Sequence, residues 1–201
     1  MKIENDLQLR ELYGSAKGRA KHKQLSELEK HSIHFVGKSP FVVISTFDKK
    51  GGVDTSPRGG QPGFVKVLDK HRLAIPDSKG NNRTDSMNNI LESGRIGTLF
   101  LMPGIDETLR INGSASVSAE GQLLSIFAEE RNPPKTCILI EVEEVFLHCA
   151  KALMRSKLWS VESKVDRGEM PSMGQMLNDQ LGITESAESQ EAMLKRYQNE
   201  L

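Results

Sequence analysis

The chain has 201 residues, of which 27% are charged, and its 27 lysines and arginines balance 27 aspartates and glutamates. That length buries a sizeable core within one domain. Zero net charge speaks against a general nucleic-acid binder, and the polar amino terminus and short apolar runs exclude a signal core or a membrane span.

Leu7, Leu9 and Leu12 recur near helical period over residues 5–13, and Gly14 stops that helix. Leu25, Leu28 and His31 or Ser32 share one face of a stronger amphipathic helix over 22–35, with Glu27, Glu29 and Lys30 opposite. Ser39-Pro40 ends any helix. Phe41 to Phe47 is a β-branched, nearly continuous apolar run, expected to be a strand covered on both faces. A turn over 48–52 leads into a second strand at Val53–Ser56, making a hairpin. Strands follow at 64–68 and 72–76. Residues 82–93 read as a helix capped by Asn82 or Thr84, striped by Met87, Ile90 and Leu91, and stopped by Gly94. Further strands are expected at 95–102, 107–118 and 136–147, then a short helix over 151–159 and helices over 172–181 and 186–198.

About six strands joined mainly by hairpins imply a mainly β protein with flanking helices, its antiparallel sheet curled toward a barrel to limit exposed edges. The reading is one domain over 1–201, with a helical N-terminal segment (about 5–35) and a helical C-terminal extension (about 161–201). Cys137 and Cys149 are the only cysteines; they are too few for a disulfide framework and suit a reducing, cytoplasmic compartment. Both lie in or just after one apolar run and read as buried, inert thiols. Neither belongs to a CxxC or CxxH pattern, so no metal site is indicated.

Three patches join β-like runs to cations, amides and glycines. The first is Ser56-Pro57-Arg58-Gly59-Gly60. The second is Ile75-Pro76-Asp77-Ser78-Lys79-Gly80-Asn81-Asn82-Arg83. The third is Arg110-Ile111-Asn112-Gly113. The Arg58 guanidinium is a planar fork that matches phosphate oxygens in pairs, and glycine lets backbone approach closely. Lys79 and Arg83 add charge, Asn82 adds an amide, and a helix starting near Asn82 presents free N–H groups to an anion. Arg110 and Asn112 alternate outward on one strand face, where they suit the carbonyl rim of a flavin ring. The bland alternatives are a turn cation, a polar capping loop and a wet strand face.

The order and spacing of these patches resemble the FMN-binding split-barrel family related to pyridoxamine 5′-phosphate oxidase, over roughly residues 35–160. The resemblance implies flavin mononucleotide (FMN) in a cleft between the subunits of a homodimer. Ser56, Pro57, Arg58, Gly59, Ile75, Pro76, Asp77, Lys79, Asn81, Asn82 and Arg83 would serve the phosphate and ribityl chain, and Arg110, Asn112 and Gly113 the ring. Lys151, Ser156 and Trp159 would cover the partner's flavin. The Arg-x-His segment with which the oxidases grip their substrate does not follow Trp159, so pyridoxamine 5′-phosphate oxidation itself is not expected. The implied activity is hydride or electron transfer between FMN and an unknown small molecule, with no nucleic-acid or membrane partner. Alternatives are a non-catalytic flavin carrier or sensor, or a haem-binding split barrel using His148.

Overall fold

The structure is a computed structural model that describes residues 2–198. In chain order the helices are α1 (Asp6–Tyr13), α2 (Arg19–His22) and α3 (Lys30–Lys38), followed by strands β1 (Phe41–Phe47), β2 (Val53–Gly59), β3 (Lys66–Asp69) and β4 (Arg72–Pro76). Then come α4 (Asp85–Ser93), β5 (Arg95–Met102), β6 (Ile105–Ser118), α5 (Gly121–Leu124), β7 (Cys137–His148), α6 (Lys151–Ser156), α7 (Met173–Leu181) and α8 (Gln190–Tyr197). Among the described residues no helix is long and apolar enough to cross a membrane.

The seven strands form one sheet in the order β2-β1-β5-β6-β7-β4-β3, and every neighbouring pair is antiparallel. The end strands β2 and β3 do not pair, so the sheet curls without closing, as a split barrel does. Strands β6 and β7 are long enough to carry both halves, and a register shift between Asn112 and Gly113 bends them. Gly113 is required there: a Cβ would stand 1.9 Å from the Glu141 carbonyl oxygen.

Period-two alternation explains the core. Val42, Ile44 and Thr46 of β1, and Ile96, Thr98 and Phe100 of β5, are buried on one face. Leu73, Ile75, Leu109, Ile111, Ile138 and Ile140 complete it from the other strands. The expectation that β1 is covered on both faces is corrected: Phe41 and Phe47 on its other face are exposed. Strand β2 is longer than expected and ends at Gly59, and β6 begins two residues early at Ile105.

Helix α3 plugs the barrel with Phe35 and Val36, and its amide end is capped by the Glu29 carboxylate, which accepts from His31 N and Ser32 N at 2.8 and 2.7 Å. Of the single helix expected over 22–35, residues 23–29 are not helical and only the part from Lys30 onward forms, as the start of α3. Leu25 breaks it by forming an antiparallel bridge with Val145, donating to and accepting from its backbone at 2.8 Å. Helix α4 closes the opposite flank through buried Ser86 and Ile90, and Asn89 Nδ2 donates to Thr46 Oγ1 at 3.1 Å. Leu91 lies outside the expected stripe at 72% exposure, because Ser86 and Ile90 define the inward face. Cys137 is buried, but Cys149 is exposed, which corrects the expectation of two buried thiols.

Candidate anion-binding cleft

The open side of the barrel brings together segments that are remote in the sheet. The end of β2, the end of β4 and the loop that climbs from β4 to α4 wall a cleft of about 720 Å³. That size suits a small-molecule site. Pro57, Arg58 and Gly59 form one wall. Pro76, Asp77, Lys79, Asn81, Asn82 and Arg83 form the other. Ser56 lines an adjoining lobe of about 760 Å³ that shares Arg58, Lys79 and Arg83 with the first. Two cationic segments separated in sequence thus face one space. Ile75 does not reach it: its side chain is fully buried in the core.

The loop is shaped by local polar bonds. Asp77 N donates to Thr136 O at 3.0 Å, which ties the loop to the start of β7. Asn82 sits at φ 60°, a left-handed position that asparagine tolerates, and Asn81 Oδ1 accepts from Arg83 N at 3.1 Å. Helix α4 starts at Asp85 rather than Asn82. Its N-cap, Thr84, makes no side-chain cap bond, so the first-turn amides of α4 keep their donor capacity at the cleft's edge.

Arg58 is held from two directions. Its Nη1 donates to Pro57 O at 2.8 Å and its Nη2 to Ser86 Oγ at 3.3 Å. Ser86 Oγ donates in turn to Asp54 Oδ2 at 2.5 Å, and Ser56 Oγ donates to the same oxygen at 3.0 Å. Arg83 makes paired bonds to Asp85 Oδ2 at 2.9 and 2.8 Å, and that pair holds Arg83 above its ordinary pKa. Burial pushes the Asp77 carboxyl above its ordinary value, while the nearby Arg58 charge pulls it down.

Gly60 has a different role from the one its position suggests. A Cβ there would stand 2.7 Å from Phe64 Cβ, so the glycine makes room for a packed Phe64 rather than for a ligand. At Gly59 a Cβ would make ordinary contacts, 3.6 Å from Pro40 O.

The third patch lies elsewhere. Arg110 and Asn112 do share one face of β6, and neither lines the cleft within this chain. Arg110 is in register with Leu99 and Phe146, and Asn112 with Gly97 and Glu144. Glu144 accepts from both: from Arg110 Nη2, and from Asn112 Nδ2 at 3.2 Å. The guanidinium of Arg110 also lies 3.9 Å from the Phe146 ring centroid. Gly113 is buried and serves the bulge. His148 is beside this group, and burial lowers its pKa, reinforced by the charges of Arg110 and Lys23.

Helix α6 packs on β6. Trp159 Nε1 donates to Ile105 O at 2.9 Å, and Ser156 Oγ donates to Leu153 O at 3.0 Å. Lys151 is exposed at the start of α6. None of the three lines the cleft of its own chain.

Sequence reasoning missed several of the site's residues. Met87, Asn132 and Lys135 line the first lobe, and Asp54, Ser86, Arg196 and Tyr197 the second. Asp54 lies two residues before Ser56 on the same strand face, which is a readable signal. The others are placed by tertiary packing alone. Among the described residues no group of three or more His, Cys, Asp or Glu side chains is arranged to hold a metal ion.

A structure of HupZ from Group A Streptococcus superposes with a TM-score of 0.50 at 18% identity, covering 60% of this chain and 93% of that one, which shows the shared fold. A putative pyridoxamine 5′-phosphate oxidase from Lactobacillus delbrueckii is similar at 17% identity and a TM-score of 0.48, covering 61% of this chain and 99% of that one. No curated protein matches the sequence. The sequence profile of the pyridoxamine 5′-phosphate oxidase family matches residues 28–149, more than half of the chain, and the chain belongs to that family.

Proposed function

We propose that this protein is an FMN-binding flavoprotein, an oxidoreductase that passes hydride or electrons between bound FMN and a small molecule. One observation carries the reading: Arg58, Lys79 and Arg83, from two separate segments, line the same cleft beside the uncapped start of α4. A guanidinium fork, an ammonium and free helix amides are the donor set that a phosphate monoester dianion needs. Family membership supports redox chemistry at such a site. FMN, when bound, supplies the electron transfer; the chain binds, orients and tunes it. Arg110 and Asn112, held in parallel by Glu144, are a pair of donors set for the oxygen-rich rim of a flat ring.

The third patch and Trp159 stand apart from the cleft of their own chain, so the reading requires a second copy to complete the site. The exposed surface supports a homodimer. Phe41, Phe47 and Val53, at 38, 44 and 75% exposure on β1 and β2, leave an apolar face uncovered.

The test is FMN titration of the full-length protein followed by flavin fluorescence, with sedimentation in parallel. We expect one FMN per chain, a dimer, and an Arg58→Ala variant that folds normally but binds FMN about tenfold to a hundredfold more weakly, as loss of a charge-assisted bond implies. Stoichiometric FMN on Arg58→Ala at wild-type affinity would overturn the phosphate assignment.

A further inference from the structure

The cleft's second lobe reaches beyond the part of the chain that the family profile covers. Its outer wall is Arg196 and Tyr197 of α8. This helix is placed deliberately. Ser189 caps it by accepting from Ala192 N at 3.1 Å, and Arg131 Nη1 donates to Gln198 O at 3.3 Å. That last bond ties its end to the loop that also gives Asn132 to the first lobe.

Arg196 is preorganised. Its Nε and Nη2 donate to the Glu188 carboxylate at 3.2 and 2.8 Å, and its guanidinium lies 4.7 Å from the Tyr197 ring centroid. The Glu188 contact raises its pKa, so it is always charged. A guanidinium has five N–H donors, and Glu188 takes two. The Arg196–Glu188 and Arg83–Asp85 pairs are both solvent-exposed, so each is weak in water and a bound anion competes with it readily. Arg58, Lys79 and Arg83 form the wall common to both lobes. A ligand with one anionic group at that wall has room to extend into either lobe, and the second lobe presents another guanidinium.

We infer that α8 is a working wall of the ligand site. Arg196 and Tyr197 bind the second anionic group and adjoining body of a small molecule that carries two anionic groups, of the diphosphate type, and whose first group takes the place at the Arg58 wall that the single phosphate of FMN would otherwise fill. The inference rests on the reading of the Arg58 wall as a phosphate site. It assigns a specificity role to the C-terminal extension, which the barrel itself does not need.

Calorimetric titration of the full chain with inorganic phosphate and pyrophosphate tests it. Wild type is expected to bind pyrophosphate about tenfold more tightly than phosphate. Arg196→Ala is expected to lose about tenfold for pyrophosphate while phosphate changes by less than about twofold, because only the second group meets Arg196. Arg196→Lys keeps the charge but loses the fork, and falls between. Lys195→Ala removes the same charge from the same helix outside the lobe, and should match wild type. Equal pyrophosphate affinity in wild type and Arg196→Ala overturns the inference. So does an equal loss in Lys195→Ala, which would mean bulk electrostatics, and so does a wild type that binds the two anions alike. Undiminished FMN binding by Arg58→Ala is read separately: it overturns the phosphate reading of the Arg58 wall, whereas equal pyrophosphate affinity in wild type and Arg196→Ala overturns the role of α8 alone.

Discussion

Arg58 Nη2 donates to Ser86 Oγ at 3.3 Å, and through that hydroxyl the cation of an edge strand is fastened to the first turn of α4. Ser86 Oγ donates its own hydrogen bond to Asp54 at 2.5 Å, so the guanidinium is aimed by a carboxylate it does not touch directly. Ser86→Ala removes the relay and adds no bulk. Asp54 keeps the Ser56 hydroxyl, so the fold survives. FMN affinity should fall about tenfold, as about 1.5 kcal/mol for a lost hydrogen bond with a charged partner implies, with little change in melting temperature. An unchanged affinity would show that Arg58 orients itself.

Glu144 is the hub of the third patch, since it accepts from both Arg110 and Asn112. Arg110 Nε is buried and finds no acceptor, so the Nη2 bond to Glu144 is the main anchor of that guanidinium. Glu144→Ala leaves a half-buried cation without its counter-ion and should destabilise the protein by about 1–3 kcal/mol. Glu144→Gln keeps an acceptor and should lie between. Urea denaturation midpoints check both. If FMN meets Arg110 as proposed, Glu144→Ala also shifts the bound flavin's reduction potential upward, because it uncovers positive charge near the ring.

Gly113 carries the barrel's bend. A methyl group there meets the Glu141 carbonyl at 1.9 Å, and that neighbour is backbone, which cannot rotate away. Gly113→Ala must open the β6–β7 pairing and should cost about 3 kcal/mol or prevent folding. Gly121→Ala is the control. A Cβ there meets nothing within 4 Å, and the residue opens a helix, so stability should change by less than about 0.5 kcal/mol. Thermal denaturation of the two variants, side by side, decides it.

The contrast between Gly113 and Glu144 shows what the sequence discloses and what it withholds. Strand β1 is legible as a β-branched apolar run and β7 because apolar side chains alternate at period two, and the cations at the end of β2 and after β4 are legible from the glycines and amides around them. Arg58, Lys79 and Arg83 could be grouped in advance on chemistry alone. Glu144 could not, since its tie to Arg110 and Asn112 depends on the register across a bulged pairing. Leu25 looked helical because its apolar spacing is helical. Its actual partner, Val145, is set by a long-range bridge that no local pattern encodes. Arg196 is the extreme case: a charged residue on a polar helix whose place in the cleft follows entirely from how the C-terminal extension docks.

Asp77 faces the same cleft as the cations, and burial holds its carboxyl above the ordinary value of 3.8 despite Arg58 nearby. An anion bound beside it repels the ionised form and favours the protonated one. Binding is therefore coupled to proton uptake, and affinity rises as pH falls through the Asp77 range. Sulfate is a suitable probe because it does not titrate there. Its affinity should increase severalfold as the pH falls from 7 through the Asp77 range, about the effect of removing one like charge at partly exposed range. Asp77→Asn should bind sulfate at pH 7 as tightly as wild type does in acid, and should lose the pH slope. A wild-type profile flat with pH, or a slope retained in Asp77→Asn, would place the carboxyl too far from the anion to matter.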